Sequence, residues 1–250
     1  MTDKADKLRF KRTAEACLAE HRIDGIGTYK ERSQHYILKN YFEPDADLHE
    51  IPVCGFVADI KRDREIIEIQ TSGFGAMRRK LEAFSNEGYD VTVVYPVAAA
   101  QRVVWIDPET GEGKSGNTTR RQKNIFKLLP QLLYTYELFE KGAFRVLAVM
   151  LVSDSIRVLD GRGKGRKIGA TKLDTVPTEL IDTATVENAA DVFRLLPFCD
   201  GEMLKSAEIS KRLGLIRRNL SAAIKLLVLL KILTPCKKEG NSIIYKVSKP

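Results

Sequence analysis

FVADIKRDREIIEIQT, residues 56–71, is the stretch whose reading decides the fold. Two runs rich in β-branched and apolar residues flank the polar pair Asp63-Arg64, the composition of a hairpin. With the turn there, Arg62 stands opposite Glu65, Lys61 opposite Ile66, Ile60 opposite Ile67 and Asp59 opposite Glu68. Opposite residues of an antiparallel pair share a face at about 4.5–5.5 Å. Val57 and Gln70 extend the face of the two acids, and Ile60, Ile67 and Ile69 supply apolar contacts on the other. Two carboxylates at that spacing repel each other and weaken the sheet unless positive charge sits between them. A hard divalent cation such as Mg2+ meets that need through carboxylates, water and a substrate phosphate. It can also activate water against a phosphodiester. The alternative is a solvated hairpin face on which Lys61 and Arg62 offset the acids. Register decides between them, because a slip of one residue separates the pair and the turn lacks an Asn-Gly or Asp-Gly signature.

Outward from the hairpin, residues 3–20 predict a helix with Leu8, Ala14 and Leu18 roughly on one stripe, broken by IDGIG at 23–27. A second helix is expected from Tyr29 to Phe42, stopped by Pro44, and HEIPVCG (49–55) reads as a strand. Downstream, Ser72-Gly73 opens a basic helix over 74–88, and VTVVYPV (91–97) and RVVWID (102–107) predict two strands. GEGKSGNTTRRQK (111–123) reads as a polar, basic loop, 124–139 as a helix and FRVLAVMLV (144–152) as a strand. GRGKGRK (161–167) and TKLDTVPTE (171–179) read as loop and linker. The expected organisation is a mixed α/β domain over residues 1–180 and a smaller one over 181–250.

The succession helix, strand, strand with a terminal Asp, strand carrying E-I-Q, helix, strand resembles the core of the PD-(D/E)xK nuclease superfamily, over about residues 27–107. The resemblance implies a restriction endonuclease-like mixed sheet flanked by helices, and an endonuclease using Mg2+ or Mn2+. On that pattern Asp59 is the metal-binding acid of the second core strand, Glu68 the acid of the third, and Gln70 takes the place of the usual lysine. Glu31 matches an additional acid that many members carry on the preceding helix. The chain departs from the pattern in two ways: no proline precedes Asp59, and Gln70 brings no positive charge. The missing cation is then expected from the next helix, with Lys80 preferred to Arg78 or Arg79. Glu31 has a second reading, since Thr28-x-x-Glu31 is a capping box. Glu50 reads as an edge-strand charge.

The chain has 250 residues, 44% hydrophobic and 30% charged, which is enough for a sizeable core and excludes disordered, collagen and coiled-coil classes. No apolar run approaches a membrane span and the N-terminus is charged, so a cytoplasmic protein with no membrane partner is expected. Cys17, Cys54, Cys199 and Cys236 lie far apart without C-x-x-C, reading as isolated reduced thiols, and His21, His35 and His49 lack ligand spacing. PETGEGKS (108–115) fails the phosphate-loop pattern because Pro108 stands where glycine is required. Tyr36 and Tyr41 read as core residues.

The net charge of +8 belongs wholly to residues 201–250, which hold eleven basic and three acidic side chains. A basic block on a balanced body points to a polyanion partner. Its helices are expected at 186–197, 206–215 (capped by Ser206) and 217–233, with strands around Glu239-Gly240-Asn241. That order resembles a winged helix domain. The resemblance implies a recognition helix carrying Arg217, Arg218, Asn219, Ser221 and Lys225, and a wing carrying Lys237, Lys238 and Asn241. Basic groups neutralise phosphates, while Arg and Asn address base edges. The strongly apolar KLLVLLKIL (225–233) predicts a surface that packs on the first domain or on a second copy. The expected function is a metal-dependent DNA endonuclease, acting as a homodimer or in a larger nucleoprotein complex. The alternative is an inactive nuclease-fold DNA-binding regulator or complex subunit.

Overall fold

The structure is a computed structural model that describes residues 2–21, 32–71, 73–119, 125–161, 169–240 and 242–250. It is α/β, with a large mixed sheet flanked by helices. Helices α1 (Lys4–His21) and α2 (Ser33–Phe42) precede strands β1 (His49–Val53), β2 (Phe56–Arg62) and β3 (Glu65–Ile69). Next come α3 (Arg78–Asn86), β4 (Asp90–Ile106), β5 (Gly113–Thr119), α4 (Leu128–Tyr134) and α5 (Tyr136–Glu140). Strands β6 (Arg145–Val158) and β7 (Thr171–Val186) complete the sheet, in the order β1-β2-β3-β4-β6-β7 with β5 against β4. The β2–β3 pair is antiparallel and β3–β4 parallel.

Three expectations for the sheet change. One strand, β4, replaces the two predicted over 91–107, although Pro96 lies inside it. Proline removes a ladder donor, but Pro96 follows directly on the bond from Gln70 N to Val94 O (2.9 Å), so its missing N–H falls where β3 has ended. The expected linker at 171–179 is the first half of β7. Its Pro177 is tolerated because β7 is last in the strand order, and an edge strand accepts a residue without a donor. The polar segment expected as a loop contains β5, paired antiparallel to β4 from Gln101–Thr119 to Ile106–Gly113.

The chain packs as two compact units. The first comprises residues 1–51, 96–123 and 149–183. Here Phe10, Ala14 and Cys17 form the buried stripe of α1, while Leu8, expected on it, is 48% exposed. Phe10 meets Tyr41 edge-on at 5.1 Å, and the Arg9 guanidinium lies over the Tyr41 ring. Arg102 grips Asp154 with two hydrogen bonds, joining β4 to β6.

The second unit comprises residues 52–95, 124–148 and 184–250. Its core is continuous from Ile66 on β3 through Phe74, Leu81, Leu128 and Leu132 to the C-terminal elements. Those are α6 (Ala189–Leu195), β8 (Met203–Lys205), α7 (Ser206–Leu213), α8 (Arg217–Leu229), β9 (Leu233–Glu239) and β10 (Ser242–Val247). They include a three-stranded antiparallel sheet, β8-β10-β9, of which β8 was not expected. The apolar excess of α8 is spent on α4, with Ala223, Leu226 and Leu227 buried beside Leu128 and Leu132. Ser206 is the first residue of α7 and not its cap; Lys205 caps it, its N–H taken by Glu208 Oε2 at 2.8 Å. The helix expected over 124–139 breaks at Thr135 into α4 and α5.

Candidate functional site

The hairpin register is Arg62 opposite Glu65, Lys61 opposite Ile66 and Ile60 opposite Ile67. Asp63 supplies the turn that the sequence lacked a glycine for: its φ is +41°, and aspartate is one of few side chains that visit this region readily. Arg64 pins the turn by donating to Gly88 O at 2.8 Å, and its own carbonyl accepts from Asp90 N. Glu65 is clasped by Arg62 (3.2 Å) and Arg145 (3.4 Å), which holds the base of the hairpin in register.

One step beyond Ile60–Ile67, the acids converge. Asp59 Oδ2 accepts from Ile69 N at 2.7 Å, and Glu68 Oε1 accepts from Asp59 N at 3.4 Å. Each carboxylate is thus fixed by the backbone of the strand carrying the other. Glu68 is 3% exposed, and burial followed by the Asp59 charge pushes its carboxyl up to about 7. Lys80, in the first turn of α3, works against that shift with Nζ 2.5 Å from Glu68 Oε2. Gln70 continues the strand direction, and its Nε2 donates to Gly73 O at 2.9 Å.

Asp59, Glu68 and Lys80 are therefore in one cluster, with Gln70 next along the chain. Arg78 pairs instead with Glu137, and Arg79 is exposed. Glu31 lies outside the described residues. Glu50, expected as a plain edge charge, has φ +55° and holds the buried Lys39 ammonium at 2.7 Å within the first unit. No group of three or more His, Cys, Asp or Glu that could hold a metal occurs among the described residues. A cation here would take two protein carboxylates and complete its shell with water, a donor set that suits Mg2+.

Around α8, Arg217, Arg218, Asn219, Ser221 and Lys225 are all exposed. Arg217 begins the helix at φ +49°, a left-handed conformation that costs a non-glycine residue of order 1–3 kcal/mol. Lys237 and Lys238 are exposed on β9, where Lys237 and Lys205 both pair with Glu239. Asn241 lies outside the described residues. A cleft of about 520 Å³ next to α8 brings in side chains that sequence reasoning missed, Gln131 and Tyr134 of α4. The local pattern of α4, LLPQLLY over 128–134, carries no sign of what these two side chains face.

A family model described as a domain of unknown function (DUF8091) matches residues 32–187, which include Asp59, Glu68, Gln70 and Lys80. An uncharacterized protein of Treponema pallidum (strain Nichols) is 25% identical over 235 residues, covering 90% of this chain and 88% of its own. That match runs past residue 187 into the C-terminal elements. No solved structure matches the chain.

Proposed function

The chain belongs to the DUF8091 family, and we propose that it is a metal-dependent DNA endonuclease whose C-terminal elements, in a winged helix arrangement, contribute DNA binding. One observation carries the reading: carboxylates of adjacent antiparallel strands meet at one point, with a lysine from the following helix on one of them. The sheet is compatible with it, since an antiparallel β2–β3 pair beside a parallel β3–β4 pair makes the mixed sheet that the nuclease resemblance implies.

In this reading Asp59 and Glu68 hold Mg2+ or Mn2+, with Glu31 as a further candidate ligand. When bound, the ion would lower the pKa of water and offset charge on the phosphodiester. Glu68 must be ionised to hold a cation, and its raised carboxyl makes that favourable from about pH 7 upward. Lys80 keeps a positive charge beside the reacting phosphate, the service the usual lysine of the third strand would give. Gln70 orients a water or a phosphate oxygen through its amide. Arg217, Ser221, Lys225, Lys237 and Lys238 neutralise phosphates along the bound DNA.

The test is nicking of supercoiled plasmid by the full chain in Mg2+ or Mn2+. Asp59→Ala and Glu68→Ala each abolish nicking and leave plasmid binding intact; cleavage that survives both, or that proceeds in EDTA, overturns the assignment. The pairing of Lys80 with Glu68 favours a second reading, because an ammonium already neutralises the acid a cation would use. The protein is then an inactive nuclease-fold DNA-binding regulator. Titration of Mn2+ into the full chain separates the two: heat lost on Glu68→Gln supports the enzyme, and no heat with wild type supports the regulator.

A further inference from the structure

The cleft beside α8 is built in three walls. Gly73 and Gly75 form one, Gln131 and Tyr134 of α4 a second, and Arg218 and Asn219 of α8 the third. Three features distinguish it from a packing gap. Gln131 Oε1 is buried and has no hydrogen-bond partner among the described residues. A buried acceptor left unpaired costs on the order of 1–3 kcal/mol, which favours turning the Gln131 amide toward a donor in the cleft. Arg218 is held over the cleft by its guanidinium donating to Tyr134 Oη at 3.1 Å, while the Tyr134 side chain stays 44% exposed.

The glycines supply the third feature. Neither has a positive φ, so the backbone does not require glycine at either position. A Cβ at Gly73 would stand 3.5 Å from Gln131 Oε1, and one at Gly75 would stand 3.7 Å from Tyr134 Cβ. Those are ordinary contacts. A Cβ at either position would fit without clash, so packing does not force glycine there, and the bare wall leaves the cleft open. Phe74, fully buried between them and edge-on to Tyr95 and Phe144, fixes that wall in place.

We propose that this cleft binds a single nucleotide unit of a nucleic-acid strand, its phosphate on Arg218, its base against Tyr134 and, once the Gln131 amide turns into the cleft, an amino or hydroxyl donor on Gln131 Oε1. The size fits, since about 520 Å³ lies within the roughly 300–1,000 Å³ of small-ligand pockets. A duplex major groove, about 12 Å wide, takes a whole helix and does not enter such a cleft. Stacking on an exposed aromatic ring beside an arginine is the usual chemistry of single-strand sites. Arg218, Asn219 and Ala222 face the cleft, while Arg217, Ser221 and Lys225 form the neighbouring stripe of α8, so duplex and single-strand contacts use different faces. The inference rests on the nucleic-acid reading above and places a strand next to Gly73, whose carbonyl holds Gln70.

The test is fluorescence anisotropy of the full chain with labelled dT12 in EDTA, where no cleavage intervenes. Wild type binds dT12, and Arg218→Ala weakens binding about tenfold, the worth of one phosphate or stacking contact. Gly75→Leu, which fills the cleft, weakens it at least as much with an unchanged thermal midpoint. Arg218 is exposed, so its variant remains informative should Gly75→Leu unfold. Failure of wild type to bind dT12, equal binding by both variants, or a twelve-base-pair duplex displacing dT12 from wild type as well as it does from Arg218→Ala would overturn the proposal. None of these outcomes touches the nuclease reading, which stands or falls on the plasmid assay.

Discussion

Glu68 concentrates the electrostatics of the second unit. Its ionised form is opposed by burial and by Asp59, and supported by the Lys80 ammonium and the Asp59 N–H. The balance leaves the carboxyl near 7, above its ordinary value of 4.5, so between these pH values the folded chain holds a proton that the unfolded chain releases. Stability from this group is therefore complete below pH 4.5 and is lost as pH rises through 7. The shift corresponds to at most about 3 kcal/mol. Urea unfolding of the metal-free protein at pH 5 and at pH 7.5 should show wild type losing more stability than Glu68→Gln over that interval. Equal losses would show that Glu68 titrates normally. On the proposed reading a cation competes with the proton for the same oxygens, so Mg2+ should raise the thermal midpoint more at pH 8 than at pH 5, and should not do so in Glu68→Gln.

At the scale of elements, α4 decides how the C-terminal part is held. Its Leu128 and Leu132 are buried with Leu226 and Leu227 of α8 in a core that also takes in Ile66 and Val93 of the sheet. Leu227 is fully buried, and truncation to alanine should cost about 2–5 kcal/mol by lost contact and cavity formation. Because the core is continuous, hydrogen exchange should accelerate together at the amides of Val93 and Leu226 in Leu227→Ala. Loss of protection confined to α8 would mean that the C-terminal elements unfold separately. The α6 start is a smaller, local test: Asn188 Oδ1 accepts from Asp191 N at 3.1 Å, and Asn188→Ala should cost about 1 kcal/mol in chemical denaturation.

At the scale of the whole molecule, the excess charge is confined to the last fifth of the sequence, while the preceding 200 residues balance. Ion pairs use part of that charge: Arg212 is bound to Glu202, and Lys205 and Lys237 share Glu239. Lys238 is exposed on the same strand. If this segment grips nucleic acid, the logarithm of the binding constant should fall linearly with the logarithm of salt concentration, and Lys238→Ala should reduce the slope by about 1. Binding that does not change between low and moderate salt would instead point to a protein partner for these elements.

The acidic hairpin was legible from residues 56–71 because side-chain alternation and turn position together set a register, and Asp63 tolerates the left-handed turn. Alternation also marked the carboxylate pair. The basic run at 78–80, two turns into the helix expected after Gly73, offered Lys80 with Arg78 and Arg79 as sources of the missing cation, and the contact of Lys80 with Glu68 is a matter of how α3 lies on the sheet. The full lengths of β4 and β7 were not legible: Ala98–Gln101 interrupt the β-branched pattern between the two strands read over 91–107, and Pro177 reads locally as a breaker, whereas its cost depends on whether a neighbouring strand needs the absent N–H. What the sequence determined alone was the local set: alternation, helix stripes, glycine breaks and the position of charge. Only the tertiary structure decided that α8 lies on α4 and that Gly75, Tyr134 and Arg218 line one cleft. Gly75 stands 59 positions before Tyr134 and Tyr134 stands 84 before Arg218, and contacts across such distances are set by which apolar faces bury each other, which no local pattern records.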